Sequence, residues 1–406
     1  MPSLPTVRCT GCGACVQCCP KKALSLSENY EGFLYPEVDD GLCVNCGLCE
    51  KSCPVNSTGT GRENFSERKA FACIANGERI REESSSGGMF TVLAEKIIKD
   101  GGIVFGAEFD EDFSVRLSRT DCAGELEKFR GSKYVQARTE NSFSECKKFL
   151  EDGRKVLFAG TPCQVAGLKG FLKKEYENLY AVDFICHGVP SPALWQKYIK
   201  YREKKSASRT VKTAFRRKND GWKLYSLSFT FANDSEYRRP LTKDRYLQIF
   251  LKDNALRESC YDCPFRGDRH KSDLTVADFW GIEQICPDFF DDRGTSLVIV
   301  QSGKGQELLD ACRAGFRSEQ VDFHAAVKCN PAYFESPARN RKRTQFYRDF
   351  DRHGIDRLYR RFGCDSLAVK AAKPAKRVVL KAARCVFGER FVRKMKNVMQ
   401  GGKLKG

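Results

Sequence analysis

The sequence is poor in the residues and motifs on which hydrolases and nicotinamide-dependent enzymes rely. Its 406 residues include only 4 His, and these form no Ser/His/Asp arrangement. No pair of carboxylates calls for hydrolytic chemistry. No G-x-G-x-x-G follows a predicted strand, so a Rossmann dinucleotide site is not supported. These absences argue against a hydrolase and against an NAD-binding fold.

Long apolar runs are missing as well. No run approaches the roughly 18 residues that a membrane-crossing helix needs. The opening residues, M-P-S-L-P-T-V-R-C, lack an apolar signal segment. The 21 cysteines are therefore expected in a reducing cytoplasm, where thiolates remain free to bind iron.

Eight of the cysteines repeat one spacing twice near the start of the chain. The pattern C-x2-C-x2-C-x3-C-P ends first at Pro20 and again at Pro54. It is the bacterial ferredoxin run, in which the fourth cysteine ligates the other of two four-iron clusters. Zinc would favour separated C-x2-C arms, and disulfides would need an oxidising compartment. Two [4Fe-4S] clusters are predicted, one held by Cys9, Cys12, Cys15 and Cys53 and the other by Cys43, Cys46, Cys49 and Cys19.

The rest of the chain alternates predicted strands and helices after a polar linker at 56–66. This alternation favours an α/β layer with a partly parallel sheet, in which ligands bind at the carboxyl ends of strands. From about Lys212 onward, an alternating pattern predicts antiparallel strands instead. The predicted fold class is α+β / α/β, with a small ferredoxin-like dicluster domain, a mixed-sheet body and a basic helical C-terminal tail.

One stretch of the body has both a ligand-binding and a structural interpretation. The residues S-S-S-G-G-M-F at 84–90 precede a helical pattern. Free backbone N–H groups at a helix N-terminus suit a phosphate, but an ordinary helix cap uses the same residue types. Both interpretations stay open on the residues alone.

Four cysteines of the body occupy predicted loops and are candidates for a third cluster. A lone C-x2-C pair, such as the last two of them, also suits zinc, a redox pair or no function. The four are Cys163, Cys186, Cys260 and Cys263. No role is assigned to Cys18 or Cys286. The remaining cysteines are expected to be small buried hydrophobes, namely Cys73, Cys122, Cys146, Cys312, Cys329, Cys364 and Cys385.

An ordered series of motifs runs through the body. It consists of S-S-S-G-G-M-F, F-R-G-S-K-Y-V-Q, G-T-P-C-Q-V-A-G-L, D-F-I-C-H-G-V-P, and C-x2-C-P-F through D-F-W-G-I-E. As a set, over about 66–335, it resembles the coenzyme F-420 hydrogenase/dehydrogenase beta-subunit family. The resemblance implies a flavin-binding region at 66–200 and a C-terminal family region with C-x2-C at 205–335. The ferredoxin-type domain at 1–56 precedes them, and the basic helical tail at 336–406 is not part of the shared pattern.

The resemblance also implies a flavoprotein that carries FAD beside an iron–sulfur cluster. The four body cysteines become expected ligands of a third [4Fe-4S] cluster. The implied FAD contacts are Ser85, Ser86, Gly87, Gly88, Lys133, Tyr134, Gln136, Gly160 and Thr161. His187 follows Cys186 directly and is either a proton donor near the flavin or a local hydrogen-bonding residue.

Positive charge is concentrated in the tail. Residues 336–406 contain 21 Lys or Arg and 5 Asp or Glu, so they carry +16 of the net charge of +18. Over 370–399, apolar residues recur every three or four positions among basic ones, which predicts a cationic amphipathic helix. Such a helix suits the anionic inner face of a membrane or packing on its own domain. Nucleic acid is not expected as a partner, because no base-reading module is recognised.

Three functional hypotheses follow. The preferred one is an iron–sulfur flavoprotein oxidoreductase that passes electrons from a ferredoxin-like donor through [4Fe-4S] clusters to FAD, and on to an organic substrate or the deazaflavin coenzyme. The second is an electron-transfer subunit or accessory protein of a partner enzyme, without a substrate of its own; many bacterial members of the resembling family look tied to surface-polysaccharide gene sets. The third is a membrane-associated scaffold in which the clusters serve stability.

Overall fold

The secondary structure comes from a computed structural model that describes residues 2–57 and 68–364. The strands are β1 (Leu24–Glu28), β2 (Leu34–Val38), β3 (Ala70–Ala75), β4 (Ile103–Phe109), β5 (Val115–Thr120), β6 (Val156–Ala159), β7 (Leu179–Phe184), β8 (Thr210–Arg217), β9 (Ser226–Phe231), β10 (Glu236–Pro240), β11 (Leu274–Asp278), β12 (Ser296–Val300) and β13 (Phe316–Val321). The α-helices are α1 (Ala14–Gln17), α2 (Leu48–Ser52), α3 (Glu78–Glu83), α4 (Met89–Lys99), α5 (Ser142–Glu151), α6 (Pro162–Leu172), α7 (Pro192–Ser206), α8 (Arg245–Leu251), α9 (Ile282–Ile285), α10 (Gly303–Ala311), α11 (Phe323–Lys328), α12 (Arg343–Phe350) and α13 (Ile355–Leu358).

The cysteine-rich part folds into a small module of α1, α2 and the antiparallel hairpin β1–β2. The hairpin lies between the two cysteine runs. Gly13 and Gly47 occupy equivalent positions in the two runs and begin the two helices with φ of 75° and 69°. Glycine adopts this left-handed conformation without steric cost. The repeated spacing of the sequence therefore produces a repeated backbone shape.

The body is built on an eight-stranded mixed sheet with the order β13-β3-β12-β11-β7-β6-β4-β5. The neighbours β11, β7, β6 and β4 run parallel. Strand β12 pairs antiparallel with both β11 and β3, so β3 points in the same direction as the parallel group. The carboxyl ends of these five like-oriented strands therefore meet at one edge, where ligands bind in such sheets. The predicted fold class is confirmed.

A three-stranded antiparallel sheet, β10-β9-β8, forms the second layer and shares an aromatic core with α7 and α8. Trp195 and Phe215 are buried at its centre, and Phe346 of α12 packs in the same core. The described part of the predicted tail, 336–364, thus contributes to the body. The amphipathic helix predicted at 370–399 lies outside the described residues. Within the described ranges, no helix is long and apolar enough to cross a membrane.

A buried ion pair joins the module to the body. Arg343 Nη1 and Nη2 donate to the two carboxylate oxygens of Glu31 at 2.7 and 2.6 Å, and both side chains are buried. Arg343 Nη1 also lies 2.9 Å from Glu258. The Ser191 hydroxyl donates to the Glu31 carbonyl at 2.5 Å. These contacts hold the module against the body through buried, charged groups.

Candidate functional site

Three cavities are each lined by four cysteines. The first cavity, of about 370 Å³, contains Cys9, Cys12, Cys15 and Cys53. The second, of about 350 Å³, contains Cys19, Cys43, Cys46 and Cys49. The third, of about 470 Å³, contains Cys163, Cys186, Cys260 and Cys263. The structure thus brings each predicted set together, with Cys53 and Cys19 exchanged between the two repeats. Their role as iron ligands stays a prediction.

The third set is assembled from the edge of the large sheet and a separate turn. Cys163 lies in the first turn of α6, directly after β6, and Cys186 follows the neighbouring parallel strand β7. The start of α6 is fixed by Thr161, whose hydroxyl accepts from the Gln164 backbone N–H in a capping box. Of the other two cysteines, Cys260 lies within the short 3₁₀ turn Glu258–Asp262 and Cys263 directly follows it. Two strand ends and one turn therefore supply the four thiols.

The donor chemistry of all three cavities fits an iron–sulfur cluster. No Asp or Glu lines them, and most other wall residues are apolar. Among the residues that the structure describes, no group of three or more His, Cys, Asp or Glu is arranged around a single metal ion. Zinc would draw its sulfurs to about 2.3 Å from one centre. A four-iron cluster holds its four thiolates further apart, since irons and sulfides lie between them.

One cysteine of each set accepts a backbone N–H at its sulfur. Cys9 Sγ accepts from Gly11 at 3.4 Å, Cys19 Sγ from Ala23 at 3.3 Å, and Cys260 Sγ from Val189 at 3.5 Å. Hydrogen bonds to the ligating sulfurs are among the factors that set the reduction potential of a bound cluster. Each cavity therefore has one sulfur whose hydrogen bond would influence the reduction potential of a cluster bound there.

Burial keeps these thiols protonated in the metal-free chain. It raises the pKa of Cys12 to about 12 and the pKa of Cys186 to about 12, and facing thiolates add to both shifts. Burial also raises the pKa of Cys53 and of Cys163. A bound metal would reverse this balance, because its positive charge favours the thiolate. Loading with iron is therefore coupled to release of protons.

The first cavity adjoins the other two. Thr10 lines both the first and the third cavity. Cys53 of the first set packs in one apolar cluster with Cys163 and Cys263. The short helices α1 and α2 connect the first and second cavities, since each helix contains a cysteine of one set and is followed by a cysteine of the other. The second cavity lies at the surface, where Cys46 is exposed, and the four cysteines of the third set are partly exposed.

A hydrogen-bond network from the body holds the loop of the first cavity. The buried Gln136 donates to the Thr10 carbonyl at 3.1 Å and accepts from Arg257 Nη1 at 3.1 Å. Arg257 Nε donates to the Cys9 carbonyl at 2.7 Å. Arg257 was not singled out by the sequence, since these contacts span 248 residues. Its only local signal is its position three residues before Cys260.

The nine expected flavin contacts fall into two groups, and none lines the three cysteine cavities. In the first group, the loop before α4 meets the R-G-S-K-Y loop, because Ser85 Oγ lies 2.8 Å from Ser132 Oγ and accepts from the Ser132 backbone N–H. Lys133 Nζ donates to the carbonyls of Lys128 and Arg130. The first group comprises Ser85, Ser86, Gly87, Gly88, Lys133 and Tyr134.

The second group lies beside the cysteine loops. Gln136 is bonded to Thr10, and Gly160 and Thr161 lead into Cys163. In this structure the polar side-chain atoms of this group bond to the protein itself. Their observed contacts therefore organise the cysteine loops.

Unpaired donors lie beside the first group. Arg216 is buried, and its Nε and Nη2 have no hydrogen-bond partner among the described residues. Its Nη1 contacts Asp278 and lies 3.3 Å from the Tyr134 hydroxyl. Lys218 Nζ donates to the Ser86 carbonyl at 3.2 Å. Two donors of Arg216 are therefore open beside Tyr134 of the first group.

His187 has a local partner in the structure. Its Nε2 lies 2.6 Å from Asp253 Oδ1, and its ring packs edge-on against Phe250. These contacts correspond to the hydrogen-bonding interpretation of this residue. They are not evidence of a proton donor.

Comparison with known proteins places two parts of the chain in families. Residues 8–57 match the 4Fe-4S dicluster domain, and residues 153–323 match the model that describes the C terminus of the beta subunit of coenzyme F420 hydrogenase/dehydrogenase. The second match covers the C-terminal part of the resemblance seen over 66–335. A comparison with curated proteins finds no match.

One chain of a xenon-derivatised F420-reducing [NiFe] hydrogenase complex from Methanosarcina barkeri is similar in structure. The similarity has a TM-score of 0.43 at 15% identity and covers 62% of this chain and 81% of that chain. On the two family matches, residues 153–323 belong to the coenzyme F420 hydrogenase/dehydrogenase beta-subunit family, and residues 8–57 in front of them are a 4Fe-4S dicluster domain.

Proposed function

We propose that the chain is an iron–sulfur flavoprotein that carries three [4Fe-4S] clusters and one FAD, and that it exchanges electrons between a ferredoxin-like partner and an organic or deazaflavin acceptor. One observation carries this proposal. Twelve cysteines gather in three sets of four around three adjoining cavities without carboxylates. An electron-transfer role requires redox centres close to one another, and the adjoining walls supply that.

The residues of the three cavities would have different roles. The cysteines of each set would hold one cluster, which supplies one-electron chemistry when bound. Buried apolar residues line part of the first and third cavities, such as Val55 in the first and Phe265 in the third. The second cavity stays open at the surface beside Val44 and Cys46. We expect a partner protein to contact this face.

The flavin is proposed at the sheet edge beside Ser86, Tyr134 and Arg216. Three features support this place: the contact between the two motif loops, the two open donors of Arg216, and the convergence of strand ends. A flavin there would supply the exchange between one-electron and two-electron chemistry. Arg216 would donate hydrogen bonds to it, and Asp278 would keep the guanidinium in place.

The alternative is an electron-transfer subunit without a substrate of its own. The family match supports it, because the family is described as a beta subunit of a hydrogenase or dehydrogenase. The two functions differ in their need for another protein. Purification of the native chain from its host distinguishes them, since a stable stoichiometric enzyme partner favours the subunit and a monomer that reduces deazaflavin alone favours the oxidoreductase.

The proposal is tested by the content of iron, sulfide and flavin in anaerobically purified full-length chain. About twelve irons and one FAD per chain are expected. Cys163→Ser should lose about four irons, whereas Cys286→Ser, which changes a cysteine outside the three cavities, should lose none. Arg216→Met should lose flavin and retain iron. About eight irons without flavin in the unmodified chain would overturn the third cluster and the FAD together.

A further inference from the structure

Arg257 is a buried cation without a counter-ion. Its exposed fraction is 0%. Nε and Nη1 bond to the Cys9 carbonyl and Gln136, and Nη2 has no partner. No carboxylate lies within 4 Å of its guanidinium in the described residues. Two other buried arginines do have a counter-ion, since Arg343 pairs with Glu31 and Arg81 pairs with Asp291.

Such an arrangement is costly unless an anion comes close. A buried charge without a partner is strongly disfavoured. The guanidinium stacks 4.0 Å above the Tyr35 ring, but a cation–π contact offsets only part of the cost of burying a charge. Hydrogen bonds to two neutral oxygens do not neutralise the charge. The open Nη2 donor also indicates that the site is incomplete without another group.

The missing anion has an evident place. Arg257 bonds to the loop that carries Cys9, and a Cβ on Gly11 would lie 3.0 Å from Nη1. Gly11 therefore allows the guanidinium to approach the loop of the first cavity. A [4Fe-4S] cluster held by four thiolates is an anion, and it becomes more negative by one charge on reduction.

We propose that Arg257 is the counter-cation of the first cavity and that it stabilises the reduced cluster there relative to the oxidised one. The proposal rests on the proposed cluster of Cys9, Cys12, Cys15 and Cys53. The Coulomb attraction of a fixed cation grows with the negative charge of the cluster. Arg257 therefore raises the reduction potential of this site. It is a positioning residue, since it acts on the cluster through its charge and through the Cys9 loop.

Arg257 also connects the first cavity with the third. It lies three residues before Cys260, on the segment that supplies two thiols of the third set. We expect the loss of its charge to lower the reduction potential most at the first cavity, because Arg257 bonds to the Cys9 loop.

The test is a redox titration of the iron-loaded full chain, followed by electron paramagnetic resonance. Arg257→Met removes the charge and keeps most of the volume. It should lower one midpoint potential by at least 59 mV, a tenfold change in the equilibrium constant of a one-electron reduction. Arg257→Lys, which keeps the charge, should shift it less. Arg202→Met is the matched control, because Arg202 is also buried, stacks 3.9 Å above Tyr237 and has an unbonded Nε, but lacks the hydrogen bond to the Cys9 loop that Arg257 makes.

A second pair of variants decides the matter if Arg257→Met fails to fold. Gln136→Glu keeps Arg257 and adds a carboxylate at its Nη1, so it should lower the same midpoint. Gln136→Leu removes both hydrogen bonds of the Gln136 amide without adding charge and should lower it much less. Equal shifts of the midpoint potential in Gln136→Glu and Gln136→Leu would overturn the role of charge. Unchanged midpoint potentials in an Arg257→Met protein that retains its full iron content would also overturn it. Iron missing from the unmodified chain would instead overturn the proposed function.

Discussion

Arg343→Met is expected to weaken the attachment of the cysteine module severely. The substitution leaves the buried Glu31 carboxylate without its bidentate partner and removes two donors to the Leu256 carbonyl. Glu258 keeps Arg339 at 2.6 Å, so the loss falls mainly on Glu31. Breaking a buried pair from one side costs about 3–5 kcal/mol. We expect a loss of that size in the free energy of unfolding.

The assay combines chemical denaturation with hydrogen exchange, both on the full chain. Protection should fall first in the hairpin β1–β2 and at Ser191, where the module contacts the body. The double variant with Glu31→Gln should recover about 2–3 kcal/mol relative to the sum of the single changes, because the partners interact directly. Arg339→Met is the control, since this half-exposed arginine pairs at the surface and should cost below about 1 kcal/mol. Equal losses in the free energy of unfolding for Arg343→Met and Arg339→Met would refute the stabilising role of the buried pair between Arg343 and Glu31.

Two further predictions concern the close contact at Gly167 and the burial of Cys146. Gly167→Ala would place a Cβ 2.9 Å from Cys12 Sγ, whereas the control Gly303→Ala would place a Cβ with nothing within 4 Å. We expect only Gly167→Ala to reduce the iron content, by about the four irons of one cluster. Normal iron content in Gly167→Ala would contradict the contact. Burial raises the pKa of Cys146, so in the unfolded chain this thiol ionises above about pH 8.5 while the folded chain keeps the proton. The free energy of unfolding of metal-free protein should therefore fall above that pH, by up to about 1.4 kcal/mol per pH unit relative to Cys146→Ala. The exposed Cys122→Ala should show no such difference from the unmodified chain, and parallel pH curves for all three proteins would be evidence against the burial effect.

The sequence predicted the module well because its information is local. Spacing alone placed the cysteines of the first and second cavities in their sets. Strands such as β6 and β7 were also recognisable, since short apolar runs followed by loop motifs mark them. By contrast, helix α7 was missed, although Ser191 and Pro192 provide a cap and a first-turn proline and apolar residues recur at helical spacing.

The contacts between distant segments could not be predicted. The pairing of Arg343 with Glu31 and the approach of Arg257 to Cys9 join residues hundreds of positions apart, and neither arginine stands in a motif. The same limit applied to the third cysteine set, which only the family resemblance brought together. The expected flavin contacts came from that resemblance as one list, but the fold separates them into a sheet-edge group and a group that holds the cysteine loops.

Anomalous scattering at the iron absorption edge, measured on crystals grown from anaerobic protein, tests the central claim most directly. The account predicts three separate iron peaks, two in the module and one among Cys163, Cys186, Cys260 and Cys263, with the peak beside Cys9 and Cys53 in the middle. Two peaks in the module with none at the edge of the large sheet would contradict it.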